Sequence, residues 1–272
     1  MKKIFYLLFL LCAVGTARAQ ELKKIDDCSM LFIYNYRFCE EHKNPESVKG
    51  FEMVLEVGSL YSKFCSPGLW RFDSLNVATI NEPSPGIIHI DASNPTFHSF
   101  CMYYIFKNYP SSGKTTFSDY LVFGGGPYRV EEDLEFNWKI DNNATGVVLG
   151  MNCKKATCHY AGRDYEAWFA PEIPISDGPY KFSGLPGLIV QIQDSDKEHV
   201  FELREIKKVN KPMYMYIPEK THTKISAKSY VKALEASKVP LIEQFNSMTG
   251  NEDMVTKTIA KLRKRNNFIE RY

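Results

Sequence analysis

The chain has 272 residues, with 34 Lys and Arg against 32 Asp and Glu, a formal charge of +2. So even a balance gives no electrostatic case for nucleic acid, which requires a clustered basic face. Aromatic residues are plentiful, with 16 Tyr and 18 Phe, and such residues suit pleated, half-buried strand surfaces.

The first residues read as an export signal. Lys2 and Lys3 precede an apolar run from Ile4 to Val14, and Ala17-Arg18-Ala19 offers a small-residue cleavage pattern. The reading is a signal peptide over 1–19 and a mature chain over 20–272. The apolar run is short of the roughly 20 residues a spanning helix needs, so no transmembrane segment is expected in the mature chain. Cys12 follows the bulky Leu10-Leu11, a poor lipidation site. Cleavage would remove 3 of the 34 basic residues, leaving 31 against 32 acidic ones, and one of the 7 cysteines.

Six cysteines then remain, Cys28, Cys39, Cys65, Cys101, Cys153 and Cys158. In an oxidising compartment they read as up to three disulfides of unknown pairing. An unbroken strand from Cys153 to Cys158 would hold its ends about 16 Å apart, beyond the ~7 Å that a disulfide spans. Either the chain turns at Lys154-Lys155, or these two pair elsewhere.

In chain order, Phe32, Tyr34, Tyr36 and Phe38 alternate along a first strand, and Phe51 to Val57 along a second. Leu60 to Phe64 resumes the pairing. Phe72 to Ser99, broken by Pro83, Pro85, Gly86 and Pro95, reads as a long connection. Cys101 to Phe106 and Asp119 to Phe123 look like strands joined by a turn over Tyr109 to Thr116. The run Gly124-Gly125-Gly126-Pro127 is the best place for a sub-boundary at 124–127. Phe136, Trp138 and Ile140 then alternate, with a hairpin turn expected at Asn142-Asn143. Further hairpins follow around Ala161-Gly162-Arg163 and Asp194-Ser195-Asp196. Helical spacing begins only at Ser226 and ends at Pro240, and Asn251 can cap a second helix from Glu252 to about Lys264. The fold class is mainly β: a curved antiparallel sheet or half-barrel meander, with one or two helices in the segment 226–266.

Several fragments resemble enzyme motifs and fail on their chemistry. Gly113-Lys114-Thr115 lacks the glycine a phosphate-binding loop requires at Asn108. Lys181 stands where a nucleophile elbow at Ser183 needs glycine. His89 and His98, with Asp91, have no metal-ligand spacing, and Cys158-His159 are adjacent strand residues that face opposite ways. Asp164, Glu166, Glu172 and Asp177 cluster near one another. Asp164 and Glu166 share a strand face, which reads better as a solvent-side row continued by Trp168 than as an acid–base pair. No catalytic, metal or cofactor residue is assigned.

Other pieces stand together as a signature: Cys153-Lys154-Lys155-Ala156-Thr157, Gly162-Arg163-Asp164-Tyr165, Pro171-Glu172-Ile173-Pro174, Gly178-Pro179-Tyr180-Lys181-Phe182, and Gly184-Leu185-Pro186-Gly187-Leu188-Ile189. Over Trp138 to Lys207 the chain closely resembles the GLPGLI family of secreted Bacteroidetes proteins, named for that last hexapeptide. The resemblance implies an exported, β-rich envelope protein, often encoded near outer-membrane transport systems, and brings no catalytic residue. In such bacteria Asp73-Ser74-Leu75 matches a three-residue O-glycosylation pattern at Ser74.

Physically, Arg163 on a turn and Pro171, Pro174, Pro179 and Pro186 suggest a loop of fixed shape crossing one mouth of the sheet. Trp168, Tyr180, Phe182 and Leu185 would cover the sheet's open face. Two readings stay open: a rigid core plug, or an apolar groove for a lipid tail or peptide in which Arg163, Trp168, Tyr180, Phe182 and Leu185 bind the ligand. The expected function is a non-enzymatic periplasmic or outer-membrane-associated protein binding an apolar ligand or a transport partner. A secreted hydrolase and a metal-handling protein are the alternatives.

Overall fold

The structure is a computed structural model that describes residues 22–80, 103–119, 126–219, 221–239, 256–257, 259–260 and 264–272, the backbone alone over 75–80. The leader, Cys101, His89, Asp91, His98 and most of the glycine run lie outside the described residues.

The first half of the chain builds β1 (Leu22–Cys39), β2 (Val48–Gly58), β3 (Ser62–Cys65), helix α1 (Pro67–Ile80), β4 (Tyr103–Lys107), β5 (Lys114–Asp119) and β6 (Tyr128–Asp133). The second builds β7 (Lys139–Val148), β8 (Met151–Tyr160), β9 (Arg163–Ala170), β10 (Leu188–Asp194), β11 (His199–Lys208), β12 (Tyr214–Pro218), β13 (Thr223–Lys224) and helix α2 (Ala227–Ala236). They form one open sheet in the order β13-β6-β5-β4-β3-β2-β1-β11-β10-β9-β8-β7, with β12 beside the start of β1. Two antiparallel meanders therefore share β1 as their seam. β13 joins β6 in parallel, and among the described residues the two ends of the sheet do not pair with each other.

The sheet is strongly curled. β6 and β9 stand eight strands apart in that order, roughly 38 Å if the sheet were flat at ~4.8 Å per strand. Yet adjacent residues of the loop between β9 and β10 touch both: Lys181 pairs with Glu132 of β6, and Phe182 packs on Tyr165 of β9. Phe32, Tyr34, Met53, Leu55, Phe64, Ile105, Phe169 and Phe201 line the inner face and share one core with that loop and α2. The alternation read in the sequence is what makes this possible: Tyr34 and Tyr36 point inward, Tyr34 donating to the Ile189 carbonyl at 2.7 Å and Tyr36 stacking on Phe201.

Four expectations are corrected. The stretch from Phe72, read as connection, is partly helix: α1 begins at Pro67, whose fixed φ suits a first helical position, and Ser66 Oγ accepts the Leu69 amide. β5 starts at Lys114, inside the stretch read as a turn, because the left-handed Gly113 ends the turn there. Phe136 and Trp138 precede β7 instead of alternating on it. The hairpin after β7 closes at Leu149-Gly150, both left-handed, and Asn142-Asn143 form a bulge within β7. A two-residue turn with positive φ at both positions matches the natural strand twist, and a bulge absorbs the three residues left unpaired.

Elsewhere the pairing follows the sequence. β8 with β9 and β10 with β11 are the expected hairpins. Ser226 caps α2 by accepting the Ser229 amide. Helical residues recur at 256–257, 259–260 and 264, after which the chain has no regular secondary structure to 272. Among the described residues no helix is long and apolar enough to cross a membrane.

Candidate functional site

Residues 171–187 connect β9 to β10 and carry the first four residues of the run Gly184–Ile189. Their outer part is exposed, but Asp177 to Phe182 are buried without a break. This is a plug. Phe182 is wholly sealed, ringed by Tyr165, Phe136, Tyr160 and Trp138. Tyr180 and Leu185 are 3% and 1% exposed. Trp138 fixes the loop's far side by donating to the Ser183 carbonyl at 2.8 Å.

Two lysines bolt the plug to the sheet. Lys107, at the end of β4, reaches the Asp177 carboxylate and the carbonyls of Gly178 and Phe182. Burial pulls its affinity for a proton below the ordinary lysine range, opposed by Asp177. Lys181 points the other way, to Glu132 of β6 and to Glu270 at 2.6 Å. Glu270 also accepts from Tyr160 and Tyr180. Burial works against its charge, but Lys181 and these hydroxyls outweigh it and hold its pKa low. Beside Lys181, Glu270 and Tyr230 lies a cavity of about 10 Å³, room for one water at most.

Of the five residues expected to bind a ligand, the structure brings Tyr180, Phe182 and Leu185 together as core. Arg163 is separate: it starts β9, is 4% exposed, and binds Asp194 at 2.6 Å, Glu198 at 3.3 Å, the Asn267 side chain and the Phe268 carbonyl. Trp168 lies on the opposite face of β9, half-buried over Gly146 of the edge strand, where a β-carbon would come within 2.8 Å of its ring. The arrangement is thus a plug, a buried ionic hub and an outer tryptophan, not one pocket wall.

The carboxylate row behaves as solvent-side residues do. Asp164 pairs with His159 at 2.8 Å, both exposed, and Glu166 pairs with Lys155. Asp177 alone points inward, to Lys107. Asp194, Asp196 and Glu198 bring oxygens within 4.8 Å of one another, but the Arg163 guanidinium already takes the cation's place beside two of them. Glu198 sits at about pKa 2: burial opposes its charge, and the Lys43 amide, His42 and Arg163 overcome it.

The expected disulfides are absent among the described residues. Cys28, Cys39, Cys65, Cys153 and Cys158 are free thiols, all buried. β8 runs unbroken from Met151 to Tyr160, so the turn needed to bring Cys153 to Cys158 does not form. Burial pushes the Cys28 and Cys158 thiols up to about 12.

Sequence reasoning missed the lysines and Glu270. The available signal was a lysine inside an aromatic run, as in Tyr103-Tyr104-Ile105-Phe106-Lys107 and Tyr180-Lys181-Phe182. A charge buried in such company needs a partner. It also missed a second buried cluster, where Lys63 holds Glu56 at 2.6 Å and Asp73 at 3.3 Å. Tyr104 and Trp70 donate to the two carboxylates, which ties α1 to the sheet. Ser74, next to Asp73, is exposed on α1.

A family model described as "Protein of unknown function (Porph_ging)" matches residues 151–191, from β8 through the plug into β10. No curated protein matches. Among solved structures, PNGF-II in space group C2 is similar with a TM-score of 0.48 at 14% identity, over 78% of this chain and 33% of that one. The P21 form gives 0.48 at 16%, over 78% and 34%. The chain spans about a third of the length of those proteins.

Proposed function

We propose that this is an exported, GLPGLI-type envelope protein that binds a protein partner and catalyses no reaction. The observation carrying this reading is the filled interior around the signature: the side chains a groove would have offered to a lipid tail, Tyr180, Phe182 and Leu185, are spent on the core. Recognition is then a task for the surface. One stretch of surface is suited to it. Among the described residues β7 ends the sheet with no strand beyond it, and Val147 and Leu149 at its hairpin are 70% and 58% exposed. An open edge of this kind accepts a strand from a partner through its free main-chain groups. The partner envisaged is a component of an outer-membrane transport system that supplies an extended segment.

The test is native mass spectrometry of the mature protein purified from its own envelope, before and after denaturation. The expected result is either a bare chain or a chain carrying a protein whose capture is lost in the Val147→Lys variant, because a lysine on the edge blocks strand addition. A small apolar mass that leaves on denaturation would overturn the reading in favour of a carrier. So would a complex indifferent to the change in β7.

A further inference from the structure

Residues 265–272 lie across the mouth of the curled sheet as a strap. Its contacts are those of a peptide held in a cleft, through main chain and side chains alike. Asn267 is held from both sides, its amide donating to the Cys39 carbonyl at 2.9 Å and its oxygen accepting from Arg163 and Arg271. Arg163 takes the Phe268 carbonyl at 2.7 Å, and Tyr165 takes the Ile269 carbonyl at 3.0 Å. Glu270 enters a pocket of three donors, Lys181, Tyr160 and Tyr180. The Arg271 amide donates to the Ala161 carbonyl at 2.7 Å, and its guanidinium meets Glu198 at 2.8 Å. At Gly162 a β-carbon would come within 2.3 Å of the Arg271 carbonyl, so only glycine lets the strap lie this close.

The cleft belongs largely to the segment matched by the family model. Tyr160, Gly162, Arg163, Tyr165, Tyr180 and Lys181 all fall within 151–191. It reads an amide and, three residues on, a carboxylate followed by a cation: Asn267, Glu270 and Arg271. The charges complement each other in both directions, Arg163 and Lys181 facing the strap's polar groups and Glu198 facing its arginine.

We propose that this cleft is a peptide clasp that accepts residues 265–271 from a second copy of the chain as well as from its own. The contacts made in the exchanged form are the same as those made within one chain, so the two differ only through effective concentration and the linking segment. The contacts name the occupant: this chain's own strap is the sequence that fits, and it fits by charge, by amide and by main chain at once. The exchanged species is a closed dimer with two clasps and no new contact chemistry.

The experiment mixes two copies of the full chain, one isotopically labelled, across a range of concentrations and follows mixed dimers by native mass spectrometry. A synthetic peptide of residues 264–272 is the competitor. The expected result is a mixed dimer that grows with concentration and is suppressed by the peptide. The Glu270→Ala full chain, whose own strap is weakened while its cleft is whole, should bind the labelled peptide about tenfold more tightly than the unaltered chain. If that variant does not fold, the mixing experiment on the unaltered chain decides alone. Monomers at every concentration, or dimers that ignore the peptide, overturn the proposal. So does peptide binding without any mixed dimer, since the occupant would then come from another protein.

Discussion

Lys181 and Glu270 meet at 2.6 Å with side chains only 2% and 5% exposed, joining the plug to the strap. Glu132 shares the same ammonium. Removing one partner from a buried pair leaves the other charge uncompensated, which costs about 3–5 kcal/mol. Lys181→Met should therefore lower the unfolding free energy by about that amount in urea titration. Glu270→Gln should cost less, because its amide still accepts from Tyr160 and Tyr180. A Lys181→Met chain as stable as the parent would show that the pair is solvated and that the plug is held by packing alone.

His199 supplies a pH dependence with a definite sign. Burial, then the charge of Arg163, holds its pKa down to about 3 against an ordinary 6.5. Its Nδ1 meets the Tyr36 hydroxyl at 2.7 Å. Above pH 6.5 neither folded nor unfolded chain binds this proton. Below it the unfolded chain does and the folded chain does not, so stability falls with pH until about 3, by up to about 1.4 kcal/mol per pH unit. Glu198, held at about 2 against 4.5, adds acid sensitivity only below pH 4.5. Between 6.5 and 4.5, of these two groups, His199 alone acts. His199 should lower the melting temperature across that window, and in His199→Asn that contribution should be lost. An equal slope in the variant would assign the effect elsewhere.

How much of this was readable in the sequence depends on whether the deciding interaction is local. Tyr34 and Tyr36 alternate with polar neighbours, so β1 and its inward face were legible. The hairpins before β9 and after β10 were legible too, because Gly162 and the Asp194-Ser195-Asp196 run mark them. The turn after β7 was misplaced because Asn142-Asn143 is the stronger local turn signal, while pairing of Val148 with Met151 fixes the register. α1 was missed although Ser66-Pro67 marks its start. The plug was visible as a proline-rich loop, but its two alternatives could not be separated. What separates them comes from far along the chain: Lys107 from β4, Glu132 from β6 and Glu270 from the strap. No short window of sequence contains such contacts.

The cysteines make a simple chemical prediction. Among the described residues five thiols are buried, and those of Cys28 and Cys158, raised to about 12 by burial, carry almost no thiolate at neutral pH. Thiolate is the reactive form. In a thiol titration Cys28, Cys39, Cys65, Cys153 and Cys158 should stay silent until denaturant is added and then all react. A denatured titre two thiols short for each bridge would show disulfides that these strands do not form here.

Phe182→Ala separates a plug from a groove wall. The ring is sealed and sits among Tyr165 at 4.7 Å, Phe136 at 5.3 Å and Tyr160 at 5.8 Å between centroids. Truncating it removes apolar burial and leaves space those rings cannot easily fill, because the curled sheet holds each of them from its own strand. The cost should be about 3–5 kcal/mol. The space left should stay dry and take up a small apolar molecule such as benzene, since a void lined by rings offers water no partners. If Phe182 were instead part of an open groove, the substitution would cost little stability, because the ring would lose contact with ligand and not with its own core. Denaturation of the variant with and without benzene distinguishes the two: a large loss partly restored by benzene identifies the plug, and a small loss unaffected by it identifies the groove.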